Sequence, residues 1–352
     1  HAEIAAMDEA GARGLTPRGG PGFNTLDPCP HTGPTGPCAP ELSAAGITRV
    51  VYAASDPNPP AAGGGEWLRR VGVAVFPDAD PARARARNPI WTPALEAGRP
   101  FVTLKTAVTL DGRIAAADGT SRWITGPEAR AHAHAFRAQV DAILVGTGTL
   151  LADDPELTAR PPGGPRPPAP PRTEPDLRAA ARPQQPVPPP TGAAPDPDAA
   201  QPVRAVMGWR YIPDQAKVRG PGGGELVHLR TRDPAQALAE LAKREIRHVL
   251  VEGGAVIAGA FLRAGLVDQL HAYVEPMFLG AGTPAAPDLG IATLAAAPRW
   301  QAREVALLGP TAFIRAAREP VLTPSTHRAL SRAGRIDAAG AHAKPDRPGQ
   351  GE

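Results

Sequence analysis

Thr25-Leu26-Asp27-Pro28-Cys29-Pro30-His31-Thr32-Gly33-Pro34-Thr35-Gly36-Pro37-Cys38 holds both cysteines of the 352-residue chain, each directly after a proline. The chain opens His1-Ala2-Glu3. Zinc takes three or four N and S ligands, and a site that does chemistry keeps one position open. His1, Cys29 and Cys38 are three such donors. Glu3 is suited to moving protons between an attacking water and a leaving amine. Residues i and i+2 do not share a helix face, so His1 and Glu3 converge only on a cavity beyond the first turn. The plainer readings are a closed structural zinc site or two unrelated thiols. His31 is a candidate fourth ligand. A loop or substrate-facing role is favoured for it, because a fourth protein donor would shut out water.

Working outward, residues 1–12 read as a helix, 23–26 as a strand, 39–45 as a helix, 48–53 as a buried strand, 66–70 as a helix and 73–76 as a strand. Such alternation implies an α/β fold with a parallel or mixed sheet. Prolines before Gly98-Arg99-Pro100 mark a domain boundary. Beyond it come a strand at 101–109, an Asp111-Gly112 turn, a helix at 127–139 and a strand at 142–145 that ends in Gly146-Thr147-Gly148-Thr149. Residues 161–202 carry 16 of the 45 prolines and few large apolar groups, which predicts a disordered spacer. Structure is expected to resume with a strand from Val203, a helix at 235–244, a strand at 248–251, a Glu252-Gly253-Gly254 turn, a helix at 255–264, a strand at 270–275 and two strands between 300 and 316. Residues 319–352 read as a disordered tail.

Several classes are excluded. No apolar run reaches the roughly 18 residues of a membrane span. Two cysteines rule out a disulfide-rich scaffold. The net charge is only +3, and the arginines, such as Arg83, Arg85 and Arg87, are scattered among alanines and prolines. No nucleic-acid partner is expected, nor a membrane partner. There is no signal peptide ahead of the first domain, so a cytoplasmic location is expected. A G-x-G-x-x-G fingerprint is missing, so a Rossmann dinucleotide domain is not supported.

H-x-E with P-C and a second cysteine is the zinc deaminase signature, although eight residues separate the cysteines here instead of two. The quoted stretch resembles the T-L-E-P-C-x-H-x-G-x-T-P-P-C pattern of the bifunctional riboflavin-biosynthesis deaminase/reductase family. Asp27 stands where that family has Glu, and Gly36 where it has Pro. Asp56-Pro57-Asn58-Pro59 also fits. In the same order follow Lys105-Thr106-Ala107, Leu110-Asp111-Gly112-Arg113, Trp123-Ile124-Thr125, Leu151-Ala152-Asp153-Asp154-Pro155 with Leu157, Thr158 and Arg160, and Val251-Glu252-Gly253-Gly254. The resemblance implies a cytidine-deaminase-like zinc domain over residues 1–92. It implies a dihydrofolate-reductase-like, NADPH-dependent domain over 99–318, interrupted at 161–202.

The implied reactions are deamination of 2,5-diamino-6-ribosylamino-4(3H)-pyrimidinone 5′-phosphate and reduction of the ribosyl chain of the product to ribityl. The implied partners are these pyrimidine ribosyl phosphates and further copies of the chain, as a homodimer or larger. The family's deaminase begins with a helix, two strands and an N-P-x-V-G loop before its H-A-E helix, which this sequence lacks. Weak or no deamination and an unpaired sheet edge are therefore expected. The alternatives are a reductase with the first domain as a docking module, and a nucleic-acid base deaminase.

The resemblance also assigns residues. Ala107, Trp123, Thr149, Asp153 and the segment Gly254, Ala255, Val256, Ile257, Ala258, Gly259 and Ala260 match cofactor contacts. Ser121, Leu157, Arg160 and Glu252 match substrate contacts, with Arg160 suited to a bidentate phosphate clamp. Lys105 is the candidate for polarising the sugar or giving a proton. The Gly253-Gly254 turn, opening a helix, suits an anion. Plainer readings are an exposed cation for Lys105, a core residue for Trp123, a turn residue for Asp153 and a solvated Arg160. Arg210 is a guess for the cofactor's 2′-phosphate.

Overall fold

The computed structural model describes residues 1–32, 37–159 and 201–318. Most of the proline-rich insertion, the expected tail, Arg160 and the tip of the cysteine loop lie outside the described residues. Gln201 and Pro202, expected in the spacer, are described. The Gln201 side chain brackets Ala159, accepting from its N–H at 2.9 Å and donating to its C=O at 3.1 Å.

The first sheet has three parallel strands in the order β1 (Pro21–Leu26), β2 (Arg49–Ala54), β3 (Ala74–Phe76). Helices α1 (Ala2–Ala12), α2 (Cys38–Ala44) and α3 (Gly64–Arg70) accompany it. Leu42, Ile47, Val50, Tyr52 and Leu68 form its core. Among the described residues β1 is an edge strand, and Phe23 on it is 77% exposed. Two short helices, α4 (Pro81–Arg87) and α5 (Trp91–Glu96), fill the stretch read as a mixed boundary. Asp80 caps α4 by accepting from the Arg83 N–H.

The second sheet is built around β4 (Phe101–Thr109). Its order is β12 (Trp300–Leu308), β13 (Thr311–Arg318), β10 (Gln269–Glu275), β4, β9 (His248–Val251), β6 (Ala142–Gly146), β7 (Val203–Met207), β8 (Leu226–Leu229). The six strands from β10 to β8 run parallel, and β13 and β12 return antiparallel. The fully buried Ala-Ile-Leu-Val-Gly of β6 and His-Val-Leu-Val of β9 are what a sheet covered on both faces requires. Helices α6 (Pro127–Arg137), α7 (Thr147–Asp153), α8 (Pro234–Ala242) and α9 (Ala255–Arg263) cover it. A small ribbon pairs β5 (Arg113–Ala115) with β11 (Thr283–Pro284). The carboxyl ends of β4, β6 and β9 share one rim, where ligands of open α/β sheets bind. Among the described residues no helix is long and apolar enough to cross a membrane.

Candidate functional site

The first cluster is assembled by the loop after β1. The Asp27 carboxylate accepts from the Gly63 and Gly65 N–H groups at 2.8 and 2.7 Å, tying the start of α3 to the Pro-Cys turn. Gly64 packs so closely that an added Cβ would sit 1.5 Å from the Pro28 carbonyl oxygen. The Cys29 carbonyl accepts from the Ala39 N–H at 3.0 Å, which brings Cys38 at the start of α2 beside Cys29.

The His1 Nδ1 lies 2.9 Å from Cys38 Sγ and 3.5 Å from Cys29 Sγ, and the three donor atoms lie within 4.8 Å of one another. Glu3 Oε2 is 3.6 Å from Cys38 Sγ, and Glu3 Oε1 accepts from Asn24 Nδ2 at 2.8 Å. His31 stays outside this group among the described residues, and its Nδ1 is buried without a partner. Burial, with the Glu3 carboxylate and Cys29 alongside, pushes the Cys38 thiol up to about 12. Two thiols, an imidazole and a carboxylate gathered this tightly call for a cation, which would bring the thiols into their thiolate form. The donor set fits zinc with a position left open.

The second cluster lies at the rim of the large sheet. Lys105 Nζ on β4 is 4.0 Å from Glu252 Oε2, just beyond β9. Both carboxylate oxygens of Glu252 accept from Arg137, Oε1 from Nε and Oε2 from Nη2, each at 2.7 Å. The third guanidinium nitrogen donates to the Thr158 carbonyl at 3.1 Å. Burial pushes the Glu252 carboxyl up, but Arg137, with Lys105 and His134, outweighs it and holds the group at about 2. For Lys105, burial wins over the Glu252 charge and lowers its pKa. Tyr273 on β10 offers its ring face 5.8 Å from Lys105 Nζ, and its hydroxyl is 2.8 Å from His132 Nδ1.

Beside this group two glycine turns meet. Gly253 lies against Gly146, where a Cβ would come 3.2 Å from the Gly146 nitrogen and 2.9 Å from Ile257 Cβ. Thr149 Oγ1 accepts from the Gly254 N–H at 2.8 Å, fixing the start of α9, which has no side-chain cap.

The remaining assignments divide. Ser121 and Asp153 are half-buried, and the Asp153 carbonyl accepts from Arg122. Ala107 is half-buried opposite Tyr273 in the ladder. Trp123, offered as a core residue in its plainer reading, is 60% exposed with the Arg130 guanidinium 4.5 Å from its ring centroid. In α9, Val256 faces outward, Ala258 and Gly259 are buried, and Ala255, Ile257 and Ala260 are half-buried.

The Leu157 side chain packs in the core with Phe136, Val140 and Ile143. The Glu252 carboxylate meets Arg137 and Lys105. Arg210 is exposed after β7. Arg137 and Tyr273 were missed by sequence reasoning. Arg137 reads as a cation at a helix C-terminus, a common dipole partner. Only the Phe136-Arg137 pairing of a core ring with a charge hints that the helix end turns inward.

A family model described as the RibD C-terminal domain matches residues 100–313. The riboflavin biosynthesis protein RibD of Mycobacterium tuberculosis is 40% identical over 312 residues, covering 88% of this chain and 81% of the relative. RibD of Escherichia coli is 35% identical over 337 residues, covering 88% and 84%. Among solved structures, Acinetobacter baumannii RibD superposes with a TM-score of 0.70 at 30% identity, covering 91% of this chain and 86% of that one. The diaminohydroxyphosphoribosylaminopyrimidine deaminase/5-amino-6-(5-phosphoribosylamino)uracil reductase of Thermotoga maritima superposes with a TM-score of 0.69 at 26% identity, covering 90% and 85%.

Proposed function

Because this chain belongs to the RibD family of riboflavin biosynthesis, we propose that it carries both reactions named for its Thermotoga relative. A deaminase centre lies within residues 1–92 and an NADPH-dependent reductase centre within 99–318. The substrates are 2,5-diamino-6-ribosylamino-4(3H)-pyrimidinone 5′-phosphate and 5-amino-6-(5-phosphoribosylamino)uracil. His1, Cys29 and Cys38 would hold zinc, and the Gly146–Thr149 and Gly253–Val256 turns would hold the NADPH phosphates. When bound, zinc supplies Lewis acidity for the hydrolysis and NADPH the two-electron reducing equivalent.

Glu3 takes a proton from the attacking water and returns it to the departing ammonia. Asn24 fixes one of its oxygens so that the other faces the donor cluster. In the reductase centre Lys105 Nζ polarises the sugar and delivers a proton to its ring oxygen. Its lowered pKa makes it the stronger acid. Glu252 holds the ammonium without quenching it, because Arg137 shares the carboxylate.

The observation that carries the reductase reading is this buried Lys105–Glu252–Arg137 group at the rim beside the paired glycine turns. Against the weak or absent deamination expected from the sequence, the gathered His1, Cys29 and Cys38 atoms favour two working centres over a reductase with an inert first domain. Lys105→Ala is expected to abolish NADPH oxidation, followed at 340 nm with the deaminated substrate, while the melting temperature stays near wild type. Near-normal turnover by that variant would refute the assignment.

A further inference from the structure

Ala159 and Gln201 stand 42 positions apart in the sequence, and one side chain joins them. The Gln201 carboxamide accepts from the Ala159 N–H at 2.9 Å through Oε1 and donates to the Ala159 carbonyl at 3.1 Å through Nε2. A primary amide offers a donor and an acceptor side by side, as a peptide unit does. Gln201 therefore pairs with Ala159 as a neighbouring strand would, and satisfies both backbone groups of a buried residue.

The support under Gln201 is firm. Pro202 is buried, and the Val203 N–H donates to the Asp141 carbonyl at 2.9 Å. From Val203 onward β7 pairs with β6. Gly224 packs onto the same stretch: a Cβ there would come 2.5 Å from the carbonyl oxygen of Gln201 and 2.5 Å from that of Pro202. The buried Arg204 grips the loop of that glycine, donating from Nε to the Gly224 carbonyl and from Nη1 to the Gly220 carbonyl, each at 2.8 Å.

The segment on the other side needs holding. Between α7 and Ala159, Asp154 and Leu157 adopt φ of 44° and 52°. Residues other than glycine keep that left-handed conformation only where their surroundings fix it. The Lys217 N–H fixes Asp154, donating to Oδ1 at 2.9 Å. The core fixes the Leu157 side chain. Gln201 fixes the Ala159 backbone.

We propose that Gln201 is a positioning residue of the reductase centre: its carboxamide clasps the base of the 160–200 connection and so holds the Leu157–Ala159 segment, where the family resemblance places a substrate contact, independently of that connection. This rests on the reading of residues 99–318 as the reductase. Without the clasp the two ends are tied only through the chain between them. The entropy of closing a loop grows as about 3/2 of the logarithm of its length. A connection cut about sixfold in length should therefore restore roughly tenfold of what the clasp supplied.

Gln201→Leu keeps the bulk of the side chain and removes both polar atoms. Hydrogen–deuterium exchange of the peptide spanning Leu157–Ala159, read on the full chain by mass spectrometry, should speed up about tenfold. Steady-state NADPH oxidation should show a KM for the sugar phosphate about tenfold higher, with kcat and the KM for NADPH unchanged. Gln201 is itself exposed, so the melting temperature should stay near wild type. Deleting residues 164–197 from the wild-type chain should alter none of these readouts. The same deletion in the Gln201→Leu background should bring KM back to within about threefold of wild type.

Unchanged exchange or unchanged KM in Gln201→Leu would overturn the proposal, as would a fall in kcat alone or a KM that the deletion does not recover. A melting temperature more than about 4 °C lower would also overturn it, by giving the carboxamide a role in the whole fold. Wild-type protein that oxidises no NADPH would sink the reductase reading, while the exchange measurement would still decide the clasp.

Discussion

Replacing Glu252 by glutamine keeps the side-chain shape and removes the one negative charge between Arg137 and Lys105. The folded carboxyl sits at about 2 against an ordinary 4.5. That difference corresponds to about 3 kcal/mol of stability at neutral pH, near the 3–5 kcal/mol that breaking a buried ion pair costs. The pKa is depressed, so the contribution is complete above pH 4.5 and is lost as pH falls toward 2. At 2–4 °C per kcal/mol for a unit of this size, Glu252→Gln should melt roughly 6–12 °C lower at pH 7. Scanning calorimetry of both proteins between pH 7 and pH 3 makes the measurement. The gap should narrow below about pH 4.5, where Glu252 of the unfolded chain takes up a proton that the folded chain still refuses. Arg137→Met combined with Glu252→Gln should cost less than the two separate losses together, because no uncompensated partner of the fork remains. A variant melting within about 2 °C of wild type at pH 7 would refute the argument that this carboxylate is a buried, paired charge.

Three further outcomes follow from other parts of the molecule. Gly64→Ala forces a Cβ to within 1.5 Å of the Pro28 carbonyl oxygen, so the Pro-Cys turn must move; metal analysis should find the zinc content sharply reduced, while Gly11→Ala, with nothing within 4 Å, should load zinc as wild type does. Burial pushes His248 and His271 down to about 4 and about 3. The unfolded chain therefore takes up protons below about pH 6.5 that the folded chain refuses. Urea melts at pH 5 should then show about 3 kcal/mol less stability than at pH 7, and His271→Leu should cancel about half of that loss; a flat profile would contradict it. Thr149→Val removes the acceptor of the Gly254 N–H and should raise the KM for NADPH about tenfold with little change in melting temperature. An unchanged KM would separate this turn from the cofactor.

What could be read from sequence was what rare residue types and strong patterns announce. Two cysteines after prolines and an H-x-E start are few enough to point to one cluster, and the structure gathers His1, Cys29 and Cys38. Runs such as Ala142–Val145 and Val249–Val251 are apolar throughout and lie in central parallel strands. Helix α7 was hidden because Thr147-Gly148-Thr149 has poor helix propensity, and its position after β6 overrides that. Strand β8 is four residues long and only half-buried, so it carries no continuous apolar run such as that of β9. Arg137 and Glu252 are 115 residues apart, and no local rule pairs a helix-end arginine with a carboxylate at a distant strand end. Leu157 is placed by its motif position, and its side chain also answers the packing demand of the core.

The proposed zinc centre on His1, Cys29 and Cys38 and the proposed reductase centre on Lys105 belong to one chain. A single purified sample, loaded with zinc and given the diamino substrate and NADPH, tests it by parallel measurement of ammonia release and loss of absorbance at 340 nm. Equal amounts of ammonia and oxidised NADPH are expected. Ammonia should disappear with Cys38→Ser, and NADPH oxidation alone should disappear with Lys105→Ala. NADPH oxidation that persists in Lys105→Ala, or ammonia release that survives Cys38→Ser, would contradict it.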